Sequence, residues 1–164
     1  MTVIDSGCFL SPARITQYFG ENPKYYKKYN LLGHEGLDLV PVDSDWTVVT
    51  PIAGKVVRAY FSEVYGNTCI IHNAELSIAV RLAHLNICNV TPGELVPCGK
   101  IIGLMGNTPG TPAPDGQAMR AHLHVSVVPV ETWPTRLYIN NGFKGRVDPL
   151  PVLTLLQRLR ECEK

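Results

Sequence analysis

The 164-residue chain has no Cys-x-x-Cys pair, and its five cysteines, at positions 8, 69, 88, 98 and 162, are odd in number. Neither a disulfide framework nor a cysteine zinc ribbon is therefore expected, and free, mostly buried thiols are. Charge of one sign is missing too. Fifteen basic residues against fourteen acidic ones leave a net charge of +1, which argues against a nucleic-acid partner and its basic footprint. No apolar run is long enough to span a membrane as a helix. No basic start followed by an apolar stretch opens the chain, so a secretory signal is not expected and action outside the cell would need another route. Internal repeats and linkers are absent. What remains is an ordinary globular composition, 45% hydrophobic and 18% charged, in a length that suits one domain with a real core. Fourteen glycines and thirteen prolines supply the turns of an all-β domain.

Short β-rich runs between turn signals fill most of the sequence. A weakly patterned arm covers residues 1–13, and Arg14-Ile-Thr-Gln-Tyr-Phe-Gly20 then alternates as a first strand. A short helix is expected over 23–29, with Asn22 as its cap and Pro23 in its first turn. Its Lys24-Tyr-Tyr-Lys-Lys-Tyr29 stretch suits a ligand-binding patch and, equally, a solvated turn over packed tyrosines. Strands are expected at 37–40, 47–52 and 55–60, a hairpin over 67–82, and further strands at 94–96 and 100–106. Residues 107–120 form a polar loop with three prolines and two glycines, too long for a simple hairpin connection, and long ordered loops are often functional. Val152, Leu155, Leu156 and Leu159 follow helical spacing within 151–164, leaving Arg158, Arg160, Glu161 and Lys164 for solvent. This terminal helix is expected to pack on the domain rather than bind a partner. The fold class expected is mainly β, an antiparallel sandwich or open barrel.

Reactive side chains concentrate in two places. Gly33-His-Glu-Gly-Leu-Asp38 and Ala121-His-Leu-His-Val125 hold three of the five histidines. Side chains two or four apart on an extended strand share a face, so His122 projects with His124, and His34 with Asp38 where that segment is extended. Catalytic zinc takes three protein ligands from such residues and keeps a position for water. His34, Asp38 and one histidine of the 122/124 pair would supply them. Iron uses the same donor set, and spacing does not separate the two metals. Each motif alone is more often structural than metal-binding; together they carry weight. His84 is spaced evenly from Val80 and Leu82, which puts it at the end of an apolar row, where a neutral imidazole could take a proton or steady an oxyanion. His72 reads as a strand or surface histidine. Glu35 would point away from its neighbour His34 in a strand, a poor position for a general base.

The motifs now on the page occur in a recognisable order. Arg14-Ile-Thr-Gln-Tyr-Phe-Gly20, Gly33-His-Glu-Gly-Leu-Asp-Leu39, Thr50-Pro-Ile-Ala-Gly-Lys-Val-Val57, Ala83-His-Leu85, Gly93-Glu-Leu-Val-Pro-Cys-Gly-Lys-Ile-Ile-Gly103, Gly106-Asn-Thr108 and Ala121-His-Leu-His-Val125 follow one another as in the lysostaphin/LytM-type zinc metallopeptidases. The resemblance covers roughly residues 14–149. Members of that family cut peptide bonds in the stems or cross-bridges of bacterial peptidoglycan. The resemblance implies the duplicated hybrid motif fold, a metallopeptidase domain over 14–150 and one zinc ion per chain. It implies zinc ligands at His34, Asp38 and His124. His84 and His122 match the two non-ligand histidines, which act on the water and the tetrahedral intermediate. All five positions are filled, as in an active member.

Two departures lie in and near the groove, so they bear on the substrate more than on the metal. The stretch before the His-Leu-His strand is Ala-Pro-Asp-Gly-Gln-Ala-Met-Arg instead of a Gly-rich run, and His84 is reached through Arg-Leu-Ala instead of a tyrosine. The insertion Phe19-Gly-Glu-Asn-Pro-Lys-Tyr-Tyr26 resembles phage-encoded members. The expected activity is hydrolysis of a peptidoglycan peptide bond by metal-activated water. Its rivals are a silent domain that binds peptidoglycan or a protein without cutting, and a phage structural component braced by zinc.

Overall fold

The computed structural model describes residues 2–112, 115–133 and 140–162. Its strands are β1 (Val3–Ile4), β2 (Ala13–Gln17), β3 (Leu37–Pro41), β4 (Thr47–Val49), β5 (Gly54–Ser62), β6 (Gly66–Asn73), β7 (Ile78–Cys88), β8 (Leu95–Val96), β9 (Ile101–Met105) and β10 (Leu123–Pro129). Two helices accompany them, α1 (Pro23–Tyr26), continued by one 3-10 turn at Lys27–Tyr29, and α2 (Pro149–Cys162). The strands run in the order β1-β2-β3-β10-β7-β6-β5-β8, and β9 branches from β7 to carry β4. Every pairing among the described residues is antiparallel, so the mainly β expectation holds. No described helix is long and apolar enough to cross a membrane.

Alternation along the central strands decides where the site lies. Leu123, Val125 and Val127 of β10, Leu37 and Leu39 of β3, and Val80 and Leu82 of β7 are fully buried in one core cluster. That cluster packs them against Val48 on β4 and Ile102 and Met105 on β9. Burying each large aliphatic side chain stabilises the fold by roughly 1.5–3 kcal/mol. The residues between them face the other way. Register places His124 opposite Asp38 on one side and opposite Ala83 on the other. A one-residue slip would send the leucines to the polar face and the site residues into the core, so the apolar pattern itself sets the site.

Several expectations need correcting at the edges. The stretch before Ala13 is tied down: β1 pairs with β2, Phe9 bridges Val48, and Cys8 and Phe9 are buried in the core. Asn22 precedes α1 in a left-handed conformation and makes no side-chain cap; its carbonyl accepts from the Tyr25 and Tyr26 amides instead. The hairpin reaches Cys88 rather than stopping at Leu82. Helix α2 begins at Pro149, where the Asp148 carboxylate accepts from the Leu150 amide. Its buried face is centred on Leu153, whereas Leu155 and Leu159 are 58% and 48% exposed. Arg160, expected in solvent, donates to the Pro51 carbonyl; Lys164 lies outside the described residues. Of the described cysteines, Cys8 and Cys69 are buried, Cys88 is half-buried and Cys98 is exposed, all free.

Candidate metal centre

His34 sits in a loop that leads into β3, and neighbouring backbone holds it from both sides. Its amide donates to Glu21, its carbonyl accepts from Gly20, and its Nδ1–H donates to the Tyr18 carbonyl at 3.1 Å. A carbonyl can only accept, so the proton is on Nδ1 and the Nε2 lone pair is free to face the centre. Asp38, on β3, has its own backbone carbonyl bonded by the Thr16 hydroxyl. Its Oδ1 lies 3.1 Å from His34 Nε2 and 3.1 Å from His124 Nδ1. The two imidazole nitrogens are 3.0 Å apart. One ligand atom from each of the three buried residues falls within 4.8 Å of the others. Two imidazole nitrogens and a carboxylate oxygen converging in this way fit a zinc ion and leave open coordination positions.

The remaining two candidates lie beside this trio. His84 and His122 have ring centroids 4.8 Å apart, and His84 is 5.8 Å from His124. His122 Nε2 is 3.7 Å from Asp38 Oδ2. Each is anchored by Nδ1–H to a backbone carbonyl, His84 to Thr108 at 2.7 Å and His122 to Arg120 at 2.8 Å. Both therefore keep Nε2 as the proton acceptor. His84 arrives by a route the spacing did not predict. Its φ of 63° breaks the alternation, so Leu85 takes the core position and His84 turns to the face of His124 instead of ending the apolar row of Val80 and Leu82. His72 stays apart, bonded through Nε2 to the Val130 carbonyl.

Glu35 is the other correction. Residues 31–36 are not strand, so alternation does not govern it. The side chain is buried behind His124, with Oε1 3.6 Å from His124 Nε2, a charge contact rather than a formed hydrogen bond. Tyr65 donates to Glu35 through its hydroxyl, Arg146 pairs with it, and Arg81 lies 3.6 Å away. No periodicity in the sequence announces this cluster, whose members lie on four separate segments.

The charges follow from these contacts. Burial works against ionising Asp38, but His34, His122 and His124 hold its carboxyl well below the usual range. Burial also opposes Glu35, yet His124, Arg146 and Arg81 lower it to about 2. Burial would drive the proton from His124, and the Asp38 and Glu35 carboxylates reverse that, raising it to about 9. At His84 the Asp38 charge is outweighed. Burial, then His124 and His122, lower it to about 3, so it is neutral at physiological pH.

Gly36 shows how closely the trio is fitted. A Cβ there would collide with the Val125 carbonyl and stand 2.7 Å from His124 Cε1 and 2.9 Å from Nε2. Gly36→Ala is expected to push the His124 ring aside, lowering zinc affinity at least about tenfold and stability by about 1–3 kcal/mol. A zinc titration and thermal unfolding of the metal-free variant check this; wild-type values in both would refute the fit.

A cavity of about 690 Å³ opens over the five residues. Tyr25, Tyr26 and Tyr29 line it together with Asp115 and residues 117–122. The tyrosine segment and the long loop are joined where the Tyr25 hydroxyl donates to the Pro112 carbonyl at 3.0 Å. Residues 113–114 of the long loop lie outside the described residues.

Comparison with known proteins agrees with this fold. The structure of the antimicrobial peptidase lysostaphin from Staphylococcus simulans is similar with a TM-score of 0.64 and 23% identity, over 92% of this chain and 51% of that one. This chain thus spans about half of that structure. LytU is similar at 27% identity and a TM-score of 0.61, over 90% of this chain and 88% of its own. A prophage-encoded M23 protein, EnpA from Enterococcus faecalis, shares the fold at 21% identity and a TM-score of 0.58, over 86% and 92%. No curated protein sequence matches. The sequence model of Peptidase family M23 matches residues 32–135, well over half of the chain and all five candidate residues. The chain belongs to Peptidase family M23.

Proposed function

We propose that this protein is a zinc-dependent endopeptidase that hydrolyses a peptide bond in bacterial peptidoglycan. The observation that carries the reading is the convergence of His34 Nε2, Asp38 and His124 Nδ1 within 4.8 Å, with two further imidazoles beside them in an open groove. His34, Asp38 and His124 would hold the ion. When bound, zinc supplies Lewis acidity, which polarises a peptide carbonyl and makes water nucleophilic near neutral pH.

The chain's own residues do the rest. His84 and His122, each fixed by Nδ1–H to a backbone carbonyl, present Nε2 to the groove. One accepts the proton of the attacking water and delivers it to the departing amine; the other steadies the developing oxyanion. Asp38, ionised in its buried setting, offsets positive charge among the imidazoles. The tyrosine wall and the long loop bound the space in which an extended peptide would lie.

Peptidoglycan is the substrate class that the sequence resemblance implies, and the membership in Peptidase family M23 supports peptide hydrolysis. Incubating the protein with purified peptidoglycan of several stem and cross-bridge types, followed by mass spectrometry of the released fragments, tests the proposal. The expected products carry one new amino and one new carboxyl terminus with glycan strands intact. Intact walls of every type would favour the silent binding module or the structural component.

A further inference from the structure

We propose that Glu35 is the positioning residue for His124, and that Arg146, from beyond the family-matched region, completes the site by holding Glu35 in place. The inference rests on the reading of His34, Asp38 and His124 as metal ligands. An imidazole that gives Nδ1 to a metal carries its single proton on Nε2. The Nε2 of His124 is buried and has no hydrogen-bond partner among the described residues. The carboxylate nearest to it is Glu35 Oε1 at 3.6 Å. Bound in this way, Nε2–H needs an acceptor, and Glu35 is placed to be it.

A carboxylate this deeply buried is costly unless its charge is met. Three groups meet it from different parts of the chain. The Tyr65 hydroxyl donates to Oε1, Arg81 stands 3.6 Å from the same oxygen, and the Arg146 Nε pairs with Oε2. Arg81 is itself set over the Tyr65 ring, 4.2 Å from its centroid.

Arg146 lies outside residues 32–135, the part that the family model matches. Its segment is built to deliver it. The Asn141 side chain donates to the Arg146 carbonyl at 2.7 Å and accepts from the Phe143 and Gly145 amides. Val147 donates to Val127 on β10 at 3.0 Å, and the Gly142 carbonyl accepts from the Leu32 amide two residues before His34. Phe143 rests on Phe19, with centroids 4.3 Å apart. The segment therefore spans the strand that carries His124 and the loop that carries His34 and Glu35.

Glu35→Gln keeps the shape but can turn its amide nitrogen toward His124, and it removes the charge. Outer partners of this kind typically change metal affinity by about 10- to 100-fold. Zinc competition titration of Glu35→Gln is expected to show that loss, with the Nε2–H 15N signal of His124 in the zinc-loaded protein shifted by the loss of its charged acceptor. Glu35→Asp recovers part of the affinity. Arg146→Gln, at a more exposed position, shows about a three- to tenfold loss on the same readouts and carries the test if Glu35→Gln does not fold. Zinc affinity within twofold of wild type, with unchanged His124 signals, in whichever of the two folds would overturn the proposal. Failure of the wild-type protein itself to take up zinc would instead overturn the metal-site reading beneath it.

Discussion

His124→Ala is expected to abolish zinc retention and activity together, whereas His122→Ala keeps zinc and loses turnover. The two histidines are separated by a single residue in Ala121-His-Leu-His-Val125, yet their surroundings differ. His124 Nδ1 lies 3.0 Å from His34 and 3.1 Å from Asp38, at the centre of the buried trio. Removing it leaves two ligands, so the loss of affinity exceeds the roughly 10- to 100-fold of an outer-shell change. His122 Nε2 lies 3.7 Å from the outer oxygen of Asp38 and reaches into the groove. Its loss should leave zinc content at one per chain and lower kcat by about 10²–10⁴, the usual contribution of a positioned acid or base. Metal analysis of purified variants alongside wall hydrolysis reads both. Normal turnover in the His122 variant would refute the division of roles.

Zinc affinity should rise steeply with pH, because metal and proton compete for one atom. In the metal-free protein His124 keeps its proton up to about 9, burial being outweighed by Asp38 and Glu35. Binding at Nδ1 expels that proton, so below this value apparent affinity rises about tenfold per pH unit from His124 alone. Between pH 6 and pH 8 the expected gain is about 100-fold. The sign for the metal-free fold is opposite. A folded value raised above 6.5 gives stability that is fully present below 6.5 and is lost as pH rises through about 9. Competition titrations at several pH values measure the first effect, and pH-resolved unfolding the second. A pH-independent zinc affinity would show that His124 is not a ligand. His84, lowered to about 3 by burial and its histidine neighbours, stays neutral throughout and adds no acid limb.

The part of the site that obeys strand periodicity was legible in the sequence. Leucines and valines at alternate positions of β3 and β10 force Asp38 and His124 onto the opposite face, and their register sets them side by side. His84 was legible as a candidate but not by its route, because a single left-handed residue inside β7 exchanges the faces of His84 and Leu85. Alternation arguments fail wherever one φ changes sign. Glu35 was misread for a related reason: it belongs to a loop, where no periodicity assigns a direction. Its partners Tyr65, Arg81 and Arg146 are brought in by long-range packing that leaves no local pattern. The face of α2 was misjudged in part: Val152 and Leu156 pack against the core as expected, but Leu153 rather than Leu155 is buried in it. Helical spacing names a stripe, but the neighbouring sheet decides which edge of it is covered.

The central claim is that one zinc ion at His34, Asp38 and His124 makes this chain a peptide hydrolase. Its most direct test is reconstitution. Protein stripped of metal by a chelator is titrated with zinc, and bound metal and peptide release from purified peptidoglycan are followed in the same samples. Hydrolysis absent without metal, rising in proportion to bound zinc and levelling at one ion per chain, is the predicted result. Full zinc occupancy with no peptide bond cut, or hydrolysis that survives complete removal of metal, would contradict it.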